Sequence, residues 1–146
     1  AAVVAPHPAR AQASQAAGIR AADVQLLRAD FDLEGGYRAA LKLLTAPTKP
    51  TGLFACNDLM AIGALRAALA LGLQVPGDLS IVGYDNLELA QFASPPLTTI
   101  DHHAGLIGQV AAEFVLSRIL NPDLPPRNEK IELRLLVRQS TAPPPL

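Results

Sequence analysis

Two short apolar runs in this chain end in the same pair of polar side chains, written in opposite order. One run is followed by Asn57-Asp58 and the other by Asp85-Asn86. Amide and carboxylate groups donate to and accept from adjacent hydroxyls, as a sugar or another polyol requires. A hydrogen bond to a charged group contributes about 1.5–3 kcal/mol, enough to change affinity roughly ten- to a hundredfold. The two pairs therefore indicate a crevice that binds a polar ligand.

Both pairs also have a purely structural interpretation. Asp58 directly precedes a helical pattern and is the expected N-cap, worth about 1 kcal/mol, which leaves Asn57 free to face a ligand. Asp85 and Asn86 are good Asx-turn formers, so the turn and the ligand contact remain equal alternatives from the residues alone.

Metal binding and catalysis find little support in the sequence. His102 and His103 are adjacent and therefore face apart on a strand, and no cluster with ligand spacing surrounds them. The chain has no nucleophile elbow, phosphate loop or dinucleotide fingerprint. We expect no metal, no cofactor and no enzymatic activity, although one of these histidines can line the crevice.

Composition narrows the class of protein further. At 146 residues with a formal net charge of −1, the chain suits one globular domain. Its basic residues form no stripe, which argues against nucleic-acid binding by this segment. No apolar run approaches the roughly 20 residues of a membrane span, and the single Cys56 is compatible with a reducing compartment. We expect a soluble cytoplasmic protein without membrane contact.

The elements that must position the polar pairs alternate between strand and helix. The patterns predict strands over residues 2–5, 24–27, 52–56, 79–84, 97–100 and 131–137, the last as a half-exposed edge strand. They predict helices over residues 9–17, 33–44 (with Asp32 as N-cap), 59–71, 87–92 and 106–120. This alternation is typical of an α/β fold with a doubly wound, mostly parallel sheet, in which ligands bind beyond the carboxyl ends of the strands.

Several motifs resemble the LacI/GalR family of bacterial transcriptional repressors. They are FACNDLMAIGALR at 54–66, GLQVPGDLSIVGYDN at 72–86 and PPLTTI at 95–100, together with EGGY at 34–37 and LVRQST at 136–141. These motifs occur in the family's order over residues 30–142. The resemblance implies a two-lobed effector domain like periplasmic sugar-binding proteins (type I), of which this chain is the C-terminal part.

The same resemblance implies a division of the chain. The core lobe comprises about residues 1–100 and 130–140, and the helix over 104–120 resembles the element that packs on the other lobe. Residues 141–146 are expected to form a disordered tail. The family's repressors act as homodimers and bind operator DNA through an N-terminal headpiece that this chain does not contain.

The resemblance also assigns residues to the effector and to the dimer partner. Asn57 and Asp85 match effector contacts, His102 stands where the family often has Gln, and Arg10 is the candidate for an arginine that clamps the effector. The dimer contacts are carried over onto Ala61, Ile62, Leu65, Arg66, Leu89 and Phe92.

The sequence thus predicts the effector-binding, dimerising portion of a LacI-type regulator. The effector is a small polar molecule, most simply a sugar, with a polyol or a purine as alternatives. A sugar-binding protein of an ABC uptake system is the competing interpretation, because it shares the fold and the Asn/Asp pair. A sugar-active enzyme on the same fold is the third.

Overall fold

Strands and helices alternate along the chain in the predicted order. The structure is a computed structural model, and it describes residues 2–3, 13 and 15–144. The strands are β1 (Ala2–Val3), β2 (Gln25–Leu26), β3 (Gly52–Phe54), β4 (Ser80–Tyr84), β5 (Thr98–Asp101) and β6 (Arg134–Leu136). The helices are a 3₁₀ helix (Ala21–Asp23), α1 (Leu33–Leu44), α2 (Asp58–Ala70), α3 (Glu88–Phe92) and α4 (Ala104–Leu120). Most of the helix predicted over residues 9–17 lies outside the described residues.

The described strands form one sheet in the order β2-β1-β3-β4-β5-β6. Neighbouring strands are parallel throughout, except that β6 runs antiparallel to β5. The chain moves from β1 to β2 in one direction and then returns past β1 to β3. This is the doubly wound order, with its switch point between β1 and β3. The predicted fold class is confirmed.

Helices α1 and α2 pack closely against each other because glycines face the contact. A Cβ added at Gly36 would overlap with the backbone of Met60, and one at Gly63 would overlap with the carbonyl oxygen of Leu33. Helix α1 starts at the predicted N-cap, where Asp32 accepts a hydrogen bond of 2.7 Å from the backbone N–H of Gly35. This layer lies over a buried core whose largest fully enclosed apolar side chains are Leu44, Met60, Leu79, Ile81 and Leu97.

Helix α4 has no buried residue. Exposed apolar side chains run along it, including Leu106, Ile107 and Ile119. The loop that follows folds back on the helix, and the guanidinium of Arg127 lies 4.2 Å from the centre of the Phe114 ring. Among the described residues, the structure contains no helix with the length and apolar character needed to cross a membrane.

Strand β6 is shorter than predicted and differently buried. Only Arg134–Leu136 pairs with β5, whereas the alternation predicted a strand over residues 131–137. The apolar side chains of that alternation include Leu133, Leu135 and Val137, all of which are exposed. Alternation therefore identified the edge strand correctly but not a face packed on the core.

Residues 140–142 form a fastening segment, which joins β4 to β5 through Ser140. The Ser140 hydroxyl donates to the carbonyl oxygen of Ile81 at 2.6 Å and accepts from the backbone N–H of Thr98 at 2.8 Å. The backbone N–H of Ile81 donates to the carbonyl oxygen of Ser140 at 2.8 Å. Ser140 is fully buried, so this one residue satisfies groups on two neighbouring strands.

The predicted tail starts too early at residue 141. The hydroxyl of Thr141 lies 3.0 Å from that of Thr98, and the backbone N–H of Ala142 donates to the Ser80 hydroxyl at 3.1 Å. Both residues belong to the fastening segment because these bonds continue the contacts of Ser140.

Replacing Ser140 with alanine is expected to lower the free energy of unfolding by about 1–3 kcal/mol, because two buried backbone groups lose their partner. Urea denaturation of the full chain measures this loss. Ser117→Ala is the matched control, since among the described residues the Ser117 hydroxyl donates only to a carbonyl oxygen of its own helix. Equal unfolding midpoints for wild type and Ser140→Ala would contradict the fastening role.

Candidate functional site

The polar residues singled out in the sequence gather at one edge of the sheet. Strands β3, β4 and β5 are parallel neighbours, so their carboxyl ends meet at this edge. Asn57 follows β3, Asp85 follows β4 and His102 follows β5. The structure therefore places all three predicted ligand residues at one edge of the sheet. Arg10, the fourth, lies outside the described residues.

Asn57, not Asp58, caps helix α2. The Asn57 Oδ1 accepts from the backbone N–H of Met60 at 2.8 Å, and Nδ2 donates to the carbonyl oxygen of Phe31 at 3.1 Å. The prediction that Asp58 is the N-cap is wrong, because the helix starts one residue earlier than the pattern indicated. Asn57 is also buried, so the prediction that it is free to face a ligand is wrong; among the described residues, only its second Nδ2 hydrogen has no acceptor.

Asp58 is a fully buried carboxylate that joins three elements. It accepts from the Thr99 hydroxyl at 2.6 Å and from the backbone N–H of Leu87 at 2.7 Å. Gly83 makes room for it, since a Cβ there would overlap with the Asp58 Oδ1. Burial raises the pKa of the Asp58 carboxyl above its ordinary value, against the lowering effect of these hydrogen bonds. Asp58 thus holds α2 to β5 and to the turn that carries Asp85.

Asp85 stands in a turn with an uncommon backbone. Its φ is 109° and that of Asn86 is 56°, both in the region that favours glycine and, less strongly, Asp and Asn. The chain turns here as predicted, but not as an Asx turn, because the Asp85 carboxylate makes no hydrogen bond to the described residues and the backbone N–H of Leu87 donates to Asp58 instead. The Asp85 side chain is 31% exposed. Burial raises the pKa of Asp85, and the nearby Asp58 carboxylate raises it further, while His102 opposes both.

Asn86 is engaged in a network on the inner side of the same turn. Its Nδ2 donates to Asp101 at 3.2 Å, and its Oδ1 accepts from the Arg138 guanidinium at 2.8 Å. A second nitrogen of Arg138 donates to the carbonyl oxygen of Leu97 at 2.8 Å. The backbone N–H of His103 donates to Asp101 at 2.8 Å and lowers the pKa of that carboxyl. The network fixes the turn and leaves Asp85 as its outward-facing carboxylate.

His102 lies beside Asp85. Its ring stacks on Tyr84 with the ring centres 5.3 Å apart and the planes 16° from parallel. The His102 Nδ1 is 3.8 Å from an oxygen of the Asp85 carboxylate. Among the described residues, no group of three metal-ligating side chains that could hold an ion is found.

Phe31 is a residue of this edge that sequence reasoning missed. Its carbonyl oxygen accepts from Asn57, and its side chain is 64% exposed. The only signal in the sequence is an aromatic residue directly before the N-cap Asp32. An exposed ring beside polar groups can cover the apolar face of a bound ring.

The predicted dimer contacts divide into two groups. Ala61 has no exposed surface and Leu65 is only 6% exposed, so the prediction for these two is wrong. Their apolar character serves the core under α2 instead. Arg66, Leu89 and Phe92 are exposed and Ile62 is partly exposed, and these remain available to a partner.

Comparison with known proteins gives a consistent result. Residues 7–141 match the family model described as a periplasmic binding protein-like domain. The HTH-type transcriptional repressor PurR of Escherichia coli is 39% identical over 134 residues, which cover 92% of this chain and 39% of the repressor.

Two solved structures have the same fold. A LacI family transcriptional regulator from Enterococcus faecium with bound ribose superimposes with a TM-score of 0.85 at 33% identity, covering 97% of this chain and 56% of that one. A dimeric Lac repressor with a C-terminal deletion gives a TM-score of 0.85 at 28% identity, covering 98% and 55%. The chain thus spans well under half of the curated repressor and about half of each structure. The resemblance to LacI/GalR regulators predicted from the motifs is confirmed.

Proposed function

We propose, on the premise that this chain belongs to the periplasmic binding protein-like domain family, that it is the effector-binding and dimerising part of a LacI-type transcriptional regulator. The observation that carries this proposal is the accessible Asp85 carboxylate at the carboxyl edge of the sheet, with His102 and Asn57 beside it. The similar proteins from Escherichia coli and Enterococcus faecium are named as regulators, which favours this function over sugar uptake and over catalysis.

The chemistry of the edge suits a polyhydroxylated ligand. The Asp85 carboxylate accepts from hydroxyls, Asn57 retains an amide hydrogen, and the exposed Phe31 ring offers an apolar surface. The bound ribose in the Enterococcus regulator supports a sugar as the class of effector. We place this ligand between the lobe that carries the sheet and a second lobe.

Helix α4 is proposed to belong to that second lobe. None of its residues is buried, although Leu106, Ile107 and Ile119 are apolar and exposed. A second lobe packed on this face would remove that apolar surface from water. The core lobe then comprises the sheet with α1, α2 and α3, and ends in the segment around Ser140.

Regulation requires that the effector binds one arrangement of the two lobes more tightly than the other. Only such differential affinity shifts a two-state equilibrium and so changes operator binding by an N-terminal headpiece. Because the regulator must reach operator DNA, we propose that it acts in the cytoplasm.

We propose that the protein forms a homodimer through the exposed side chains Ile62, Arg66, Leu89 and Phe92, as the dimeric Lac repressor structure suggests. Phe92 is 74% exposed and Leu89 is 56% exposed. Phe92→Glu is expected to raise the dimer dissociation constant on the order of a hundredfold, since an apolar anchor is replaced by a charge that must lose water. Analytical ultracentrifugation of the full-length protein measures this change.

Leu133→Glu is the control for that experiment, because Leu133 is an exposed leucine outside the proposed interface. It should leave the dimer intact. A Phe92→Glu protein that stays as dimeric as the wild type would show that the interface lies elsewhere.

Thermal-shift screening of the full-length protein against sugars, polyols and purines tests the function. A ligand at a hundred times its dissociation constant stabilises the folded state by about 2.7 kcal/mol, a shift of several degrees. We expect a sugar to raise the unfolding temperature of the wild type but not of an Asp85 variant. A screen without any shift, or a shift that persists in the variant, would contradict the proposal.

A further inference from the structure

One ring nitrogen of His102 is buried and has no hydrogen-bond partner among the described residues. The side chain is 23% exposed, and its ring is held flat against Tyr84. This nitrogen is Nδ1, which is enclosed and makes no hydrogen bond within the part of the chain that the structure describes. Since Nδ1 is enclosed, only Nε2 can meet a ligand.

The charged group beside Nδ1 is an anion. The Asp85 carboxylate lies 3.8 Å from it, and the Asp101 carboxylate also acts on the His102 ring electrostatically. In a neutral imidazole one nitrogen carries a proton and the other a lone pair. If Nδ1 carried a lone pair, its negative charge would face the carboxylate and be repelled. If Nδ1 carried a proton, the positive N–H hydrogen would face the carboxylate and be attracted. The field at this position favours the proton on Nδ1.

We propose that Asp85 fixes His102 in the tautomer that carries its proton on Nδ1, so that Nε2 presents only a lone pair to the effector. This inference rests on the proposed function and specifies its ligand. His102 is then a specificity-determining residue that requires a hydrogen-bond donor, a hydroxyl or an amine, at the position facing Nε2. Together with the Asp85 carboxylate it makes an edge of acceptors that selects a ligand with two neighbouring donors.

This arrangement differs from that of a glutamine at the same position. A glutamine amide can rotate and offer either its NH₂ group or its oxygen, so it tolerates a ligand donor or a ligand acceptor. A ligand with an ether or carbonyl oxygen facing Nε2 leaves two acceptors unpaired. We expect at least a tenfold discrimination against such a ligand, which His102→Gln removes.

The tautomer can be measured directly in the full chain without a ligand. Two-bond ¹H–¹⁵N correlation spectra of the neutral ring distinguish a nitrogen that carries a proton from one that does not. The loss of signals in His102→Gln assigns the ring. We expect the proton on Nδ1 in the wild type, and a shift toward Nε2 in Asp85→Gly, which removes the carboxylate and adopts the φ of 109° without strain.

Asp123→Asn is the control, since it removes an exposed carboxylate outside this site and should leave the proton on Nδ1. A wild-type ring protonated on Nε2, or an Asp85→Gly ring identical to the wild type, would overturn the proposal. The spectra are recorded without a ligand, so such a result would not contradict the proposed effector function. Conversely, a screen in which no sugar binds leaves the tautomer result intact.

Discussion

Replacing Asp85 with alanine in the full-length protein is expected to weaken effector binding on the order of a hundredfold. The carboxylate has no hydrogen-bond partner within the described residues and lies open at the carboxyl edge, so its acceptor capacity is available to the ligand. A hydrogen bond to a charged group contributes about 1.5–3 kcal/mol, and two ligand hydroxyls can share one carboxylate. Isothermal titration calorimetry with the sugar found by screening measures the loss.

Alanine at this position also strains the turn, because its φ of 109° suits few side chains. Asp85→Gly removes the same carboxylate without that strain and should lose binding equally. Both variants should remain folded and dimeric. Unchanged affinity in Asp85→Gly would remove Asp85 from the site.

The raised pKa of Asp85 gives the binding a pH dependence. Burial beside Asp58 favours the protonated carboxyl, so the ionised acceptor is lost at a higher pH than for an ordinary aspartate. We expect effector affinity to fall as the pH drops through this raised pKa. The Asp85→Gly protein should lack that part of the pH profile.

Asp58→Ala is expected to be strongly destabilising, lowering the free energy of unfolding by about 2–5 kcal/mol. It leaves the buried Thr99 hydroxyl and the partly buried backbone N–H of Leu87 without their acceptor. Each unsatisfied buried group costs about 1–3 kcal/mol. A loss of this size is a large part of the stability of a single domain. Urea denaturation provides the measurement.

Asp123→Asn supplies the control, since Asp123 is exposed and its substitution should change stability by no more than about 0.5 kcal/mol. Asp58→Asn should fall between the two, because its amide oxygen can still accept from one donor while its NH₂ group faces the other. If Asp58→Ala and the wild type had the same urea midpoint of unfolding, the Asp58 carboxylate would not stabilise the turn.

The sequence was sufficient to predict the features that depend on local pattern. The strand and helix alternation, the Asp32 N-cap and the gathering of Asn57, Asp85 and His102 at one edge all follow from periodicity and from the geometry of parallel sheets. These predictions needed no knowledge of distant contacts.

The roles of Asn57 and Asp58 could not be predicted from the sequence because distant residues decide them. A shift of one residue in the helix start moves the cap from Asp58 to Asn57. The partners of Asp58 are Leu87 and Thr99, which are 29 and 41 residues away along the chain. Only the folded sheet brings these groups together. Asp58, predicted as a helix cap, therefore becomes a buried acceptor that joins α2 to β5 and to the turn after β4.

The burial of Ala61 and Leu65 escaped prediction for a related reason. Helix α2 is apolar on most of its circumference, so its sequence does not distinguish the side that faces the core from the side that faces a partner. The fold decides it: a Cβ placed on Gly83 of β4 would lie 3.3 Å from the Cβ of Ala61, so this side of α2 faces the sheet.

Binding of a small polar effector at the carboxyl edge of this sheet can be observed in a crystal structure. The crystals should contain the full-length protein with the sugar that most raises its unfolding temperature. We predict a sugar hydroxyl donating to the Asp85 carboxylate and a second donating to Nε2 of His102. A sugar bound elsewhere, without contact to Asp85, would show that this edge is not the effector site.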